Sequence, residues 1–166
     1  MRDFTESTAT FSPCREFRYT LSRRWSSGHT IAFIGLNPST ADEHKLDATV
    51  TRCVGRAEAL GFGRLVMLNL FAFRSTDPKA LKARLKSGLE IVGPGNDDAI
   101  REEARAAKAV VCAWGNHGSV AGRDREVLRL LGGIRLLCLG KSKTGQPKHP
   151  LYIPNSCELV SLGGRQ

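Results

Sequence analysis

No CxxC pair occurs among the five cysteines, Cys14, Cys53, Cys112, Cys138 and Cys157. The spacing that holds a structural zinc or an iron–sulfur cluster is therefore missing, and neither a metal nor a cofactor is expected. Their number is odd, and Cys112 and Cys138 fall in apolar runs where a thiol serves as a small core residue. Long apolar runs are lacking too: the longest, Leu65 to Phe73, is broken by Asn69 and falls well short of a bilayer span. Met1 to Thr10 is polar and acidic, unlike a secretory leader, so no membrane partner is expected and the cytoplasm is the default location. Acids are scarce, 16 against 25 Lys and Arg, which leaves a formal charge of +9. The basic residues are spread along the chain rather than gathered in a tail. That balance favours an acidic partner, nucleic acid or a nucleotide first among them, although a basic protein without such a partner has the same composition.

What is present suits one domain with a buried core, since 166 residues with 41% apolar content need no second one. Four continuously apolar runs read as buried strands: Thr30 to Leu36, Arg64 to Leu70, Ala109 to Trp114 and Ile134 to Leu139. Continuous rather than alternating apolarity is expected where helices cover both faces of a parallel sheet. Helical patterns lie between them. Ala48 to Leu60 puts Val50, Cys53, Val54, Ala57 and Leu60 on one stripe, and Pro78 to Lys86 opens with Asp77 as cap and proline in the first turn. Asn96 to Ala107 and Arg123 to Leu131 complete the set. Phe17 to Trp25 alternates and reads as an edge strand, and Glu158 to Leu162 as a last short one. The first ten residues and Gly163 to Gln166 read as frayed ends. The expected fold is a three-layer α/β/α sandwich with a short, mostly parallel central sheet.

In such a sheet ligands bind beyond the carboxyl ends of the strands, where this chain gathers its unusual polar residues. The first run leads into Gly35-Leu36-Asn37-Pro38-Ser39, and the second into Asn69-Leu70-Phe71-Ala72-Phe73-Arg74. The third gives Trp114-Gly115-Asn116-His117, and the fourth a loop carrying Lys141, Lys143, Lys148, His149, Pro150 and Leu151. Asn-Pro-Ser-Thr starts turns, but the Asn37 amide can also hold a water by donor and acceptor. Asn69 closes an apolar run where an amide is costly unless bonded, so it either ties down a loop or meets the edge of a base. His149 can donate to a developing anion and the three lysines can hold phosphates, with His117 a second imidazole. Both histidines can equally be plain surface residues. Asp42 and Asp47 read as caps of the following helix. Gly140-Lys141-Ser142 is not a phosphate loop, because Arg135 stands where that motif needs glycine.

The set LNPSTAD, NLFAFR, GPGND, AWGNHG and HPLY resembles an uncharacterised bacterial domain family, from about Phe17 to Leu162. More remotely, the chain is similar to the uracil-DNA glycosylase superfamily, whose first strand ends G-[IQ]-[ND]-P, as Gly35-Leu36-Asn37-Pro38 does here. That resemblance implies a uracil-DNA glycosylase-like fold and a water-orienting Asn37. Val66-Met67-Leu68-Asn69 is similar to the superfamily's LLLN, which implies a base-reading Asn69. His149-Pro150 matches its late His-Pro motif, which implies a histidine on the base oxygen and Leu151 as wedge. The aromatic that usually follows the first motif has no counterpart between Pro38 and Gly61, and Leu151 stands where Ser or Ala is usual.

Two functions follow as expectations. One is hydrolysis of an N-glycosidic bond on a flipped or modified base, with Asn37 and His149 catalytic. Gly35, Pro38, Ser39, Asn69, Phe71, Arg74, His117 and Leu151 would then contact substrate, and the lysines the phosphates. The other is a non-catalytic module that binds a nucleotide or nucleic-acid end in the same cleft.

Overall fold

The computed structural model describes residues 3–163. Its centre is built from the apolar runs: β3 (Thr30–Gly35), β4 (Arg64–Asn69), β5 (Ala109–Cys112) and β6 (Leu136–Cys138) lie parallel to one another. Before them come β1 (Glu6–Phe11) and β2 (Arg18–Arg24), and β7 (Val160–Ser161) closes the chain. The single sheet runs β1-β2-β4-β3-β5-β6-β7. β1, β2 and β7 all pair antiparallel. The sheet is therefore mixed, not mostly parallel: a parallel centre carries an antiparallel strand or ribbon on each flank. The flanks are short, polar or both, so they lack the continuous apolarity that marks the centre.

The amino-terminal residues expected to fray instead make β1, paired with β2 from Glu6↔Arg24 to Phe11↔Arg18. Glu-Ser-Thr-Ala-Thr-Phe reads as a tail because an exposed edge strand is held by its backbone and buries little side chain. For the same reason β2 is not the edge; it is covered by β1 and sits against β4. Gly164 to Gln166, also expected to fray, lie outside the described residues.

Helices fall where the patterns put them. Asp47 caps α1 (Ala48–Ala59) by accepting from the Val50 amide, and Asp77 caps α2 (Pro78–Lys86) by accepting from Lys79. α3 spans Asn96–Ala106 and α4 spans Arg123–Leu130. Asp42 caps neither; its carboxylate takes the amides of His44 and Lys45 in the loop before α1. Strand side chains alternate between two cores. Ile31, Phe33, Leu65 and Met67 pack under α1, and Ala32, Ile34, Val66 and Leu68 meet α2, α3 and α4. No helix among the described residues is long and apolar enough to cross a membrane.

This topology decides where a cleft can form. The connection from β3 passes over one face to β4, while that from β4 returns over the other face to β5, on the far side of β3. The loops after β3 and β5 leave in opposite directions and open a crevice between them.

Candidate functional site

A cleft of about 820 Å³ occupies that crevice. Its walls come from the ends of β3 and β4, the start of α1, the turn after β5 and the long loop after β6. The β3 end depends on Gly35: a Cβ there would stand 2.9 Å from Asn69 Oδ1, so only glycine lets the Asn69 amide lie across the strand. Asn37 lies in a bend ahead of Pro38, and its Nδ2 faces three carbonyls, Pro38 at 3.2 Å, Phe73 at 3.3 Å and Ser75 at 3.1 Å. Those bonds lace the β3 loop to the β4 loop, helped by Ser75 N donating to Pro38 O at 2.8 Å. Three acceptors fix the amide's orientation, because its flipped form would set oxygen against oxygen. The donor half of Asn37 is therefore spent on the scaffold, contrary to the expectation that both halves serve a water. Its Oδ1 has no partner among the described residues.

Asn69 is 3% exposed and lines the cleft. Among the described residues its Nδ2 has no hydrogen-bond partner. The loop-tying role that its position suggests falls to Asn96, wholly buried, whose Nδ2 donates to the carbonyls of Asn69 and Leu70 at 3.0 and 3.1 Å. Asn69 is left with an unused donor in the cleft, which costs about 1–3 kcal/mol unless something else accepts from it.

His149 opens a short 3-10 turn, Pro150–Tyr152, and its Nδ1 accepts from the Leu151 amide at 3.3 Å. Nδ1 is thus the unprotonated nitrogen and the neutral ring carries its hydrogen on Nε2. Burial pushes the His149 pKa below the ordinary 6.5, and the Asp47 carboxylate pushes it partly back. The loop is held by Gly115 N on Pro147 O at 2.9 Å, by Lys148 N on Gly140 O at 2.9 Å, and by Trp114 Nε1 on Gln146 Oε1 at 2.8 Å.

Residues 18–151 match the family model described as a protein of unknown function, DUF1643. The chain belongs to the DUF1643 family. Neither a curated protein nor a solved structure matches it. The DUF1643 match begins at Arg18 in β2 and ends at Leu151, so it takes in every residue lining the cleft except Tyr152 and Ile153.

Most of the residues singled out in the sequence meet in this DUF1643 cleft. Gly35, Asn37, Pro38 and Ser39 line it from β3, and Asn69 from β4. His117 stands exposed after β5, and Lys148, His149 and Leu151 come from the last loop. Four do not belong there. Phe71 is 1% exposed and packs into the core under α2 and α3, because the chain turns inward after Asn69. Arg74 leans away over the Phe11 ring at 5.0 Å and donates to Arg15 O. Lys141 and Lys143 are exposed on the outer turn of the last loop and do not line the cleft.

Among the cleft residues that sequence reasoning did not assign to the site, three bring a charge or an exposed ring. Asp47 reads as a helix cap, and it is one, yet it also brings a carboxylate to the wall. Arg18 looks like a polar position of an alternating strand, but is 2% exposed. Tyr152 stands 82% exposed at the rim, its ring centroid 5.7 Å from that of His149. No spacing rule marks them; only the pairing of β2 with β4 and the turn after His149 bring them in. Among the described residues no group of three His, Cys, Asp or Glu is gathered as a metal site.

Proposed function

We propose that the cleft accepts a nucleotide, or a flipped or modified base still joined to its nucleic acid, and hydrolyses the N-glycosidic bond between base and sugar, on a scaffold of the uracil-DNA glycosylase kind. The observation that carries this reading is the meeting of Asn37, Asn69 and His149, from the ends of or loops after three separate strands, around one cleft. Their order along the chain is that of the glycosylase motifs. The neutral His149 suits the chemistry. As the C1′–N bond breaks, its electron pair passes to the base, and the Nε2–H of the neutral ring donates a hydrogen bond to the resulting anion. Asn37 Oδ1 and the Asp47 carboxylate are the acceptors for the water whose oxygen bonds to C1′. Asp47 takes the proton that water releases. Asn69 Nδ2 donates to an acceptor on the base, and the exposed Tyr152 ring offers a stacking face at the mouth.

One observation favours a binding module instead. The Asn37 donor is fully engaged by loop carbonyls, as in an asparagine that serves the scaffold alone. Single-turnover base release from an oligonucleotide panel bearing uracil, hypoxanthine, xanthine and modified pyrimidines separates the two. Hydrolysis predicts alkali-labile abasic sites with at least one member. His149→Ala should slow that release by about a hundredfold or more at little cost in binding. Binding without release from any member would leave the module.

A further inference from the structure

Four arginines among the described residues are more than nine-tenths buried: Arg18, Arg23, Arg56 and Arg123. A buried guanidinium must find acceptors, and three of them do. Arg56 reaches the carbonyls of Ile153, Pro154, Asn155 and Cys157, and so clamps the chain after the last loop. Arg23 donates to the carbonyls of Ser22, Asp42 and Lys45. Arg123 bonds Leu70 O and the carboxylates of Asp97 and Glu126.

Arg18 differs. Its Nη1 donates to Ala41 O at 2.8 Å and no hydrogen bond engages Nη2 among the described residues, whereas both Nη nitrogens of Arg56 are bonded; its Nε, like that of Arg56, is buried without a partner there. No carboxylate comes within ion-pair distance of it there. It alone of the four lines the cleft. Burial pushes its pKa down to about 10; Asp47 and Asp42 oppose that shift, while Arg74 and Arg23 add to it. Three guanidinium groups therefore face two carboxylates around it, and one of those, Asp47, already accepts from the Val50 amide. The second unmatched group in the cleft, Asn69 Nδ2, is also a donor. Two residues of one cavity wall thus carry buried donors without a partner among the described residues, one of them cationic, and such a wall suits negative charge better than a neutral amide edge.

We propose that Arg18 and Asn69 form an oxyanion subsite in the cleft, taking a phosphate or carboxylate group of a small ligand on the Nε–Nη2 edge of the guanidinium and the Asn69 amide. That edge presents two parallel N–H bonds, the geometry that grips a carboxylate or phosphate bidentately. The inference deepens the proposed function, since it rests on the same cleft, but it requires no bond to break. It names the substrate class as acidic: a nucleotide bound through a terminal phosphate, or a base that itself bears a carboxylate.

The test is binding, not turnover. Nitrogen-15 NMR of the wild-type protein follows the Arg18 Nε–Hε signal during titration with inorganic phosphate and with acetate. Calorimetry compares 2′-deoxyuridine with its 5′-monophosphate, and uracil with orotate. The Nε–Hε signal should shift and saturate with at least one bare anion. The anionic member of at least one pair should bind ten times or more tighter than its neutral counterpart, and Arg18→Met should bring the two members level. Preference confined to the monophosphate assigns phosphate as the natural group, and preference confined to orotate assigns carboxylate. An Nε–Hε signal that no anion moves, or neutral partners that bind as well as the anions, overturns the subsite. So does a folded Arg18→Met protein that keeps the preference. The wild-type NMR arm decides the matter even if Arg18→Met does not fold. Base release can fail while this preference stands, and the reverse, so the two readings fall separately.

Discussion

His149 shows how one backbone contact selects a chemical state. The Leu151 amide donates to Nδ1 at 3.3 Å, which leaves the hydrogen on Nε2, and burial disfavours the charged ring. The neutral form should therefore persist to lower pH than in a free imidazole. An NMR titration of the His149 ring should give a midpoint below 6.5, with nitrogen shifts of the Nε2–H tautomer above it. Asp47 is the group that opposes the shift, because a carboxylate favours the imidazolium. Asp47→Asn removes that support while keeping a residue able to cap α1, so it should move the midpoint lower still. In folding terms the depressed pKa makes the unfolded chain the better proton acceptor. The contribution of His149 to stability is complete above about 6.5 and is lost as pH falls through the folded value. A midpoint at or above 6.5 would show that the ring is not desolvated as described.

At the scale of elements, the turn after β5 is packed more tightly than its composition suggests. Trp114 is 2% exposed, and a Cβ placed on Gly118 would run into its indole ring. Gly118→Ala should therefore push the ring off its bond to Gln146 and cost about 1–3 kcal/mol, as overpacking does. Ser119→Ala, one position on at an exposed site, should cost under about 0.5 kcal/mol. Urea unfolding of the three proteins checks the difference; equal midpoints would mean that the turn opens freely.

Elements of this kind also mark what can be read from sequence. The four apolar runs and the capped helices are legible because burial and capping leave local signatures, and α2 begins and ends at Pro78 and Lys86 as its pattern predicts. β1 is not legible, because an exposed strand is held by backbone pairing that no side chain announces. Asn69 could be singled out because it closes a strand, and Asn37 and His149 because they stand in the polar loops that follow two others. Arg18 and Asp47 could not, since a buried arginine in an alternating strand and a helix cap look ordinary until tertiary structure sets them on a common wall. Phe71 and Arg74 were misplaced for the converse reason. They follow a site residue in sequence, but the chain turns one into the core and lays the other over Phe11, away from the cleft lining.

For the whole molecule the question is where its charge of +9 acts. Of the lysines grouped in the last loop only Lys148 lines the cleft; Lys141 and Lys143 stand outside it, on the outer turn. If a nucleic-acid strand enters at the mouth, its flanking phosphates meet this loop while the base or terminal group passes inward. Each phosphate neutralised releases counterions, so affinity for a short single strand should fall as salt rises. The slope of log K against log salt is about −0.7 per phosphate contact on a single strand. Fluorescence anisotropy with a labelled strand should therefore show a slope made shallower by about 0.7 for each lysine that makes such a contact. Lys141→Ala and Lys143→Ala test whether the outer turn takes part, and Lys148→Ala tests the rim. Replacing an outer lysine changes no cleft side chain, so its loss should weaken every strand alike, whatever the base. Arg74→Ala should leave the slope as it was, because that guanidinium lies over Phe11 and away from the cleft. A slope near zero in the wild type would mean that no strand lies along the loop. The ligand would then be a free small molecule, and the positive charge would act only by drawing acidic compounds toward the cleft.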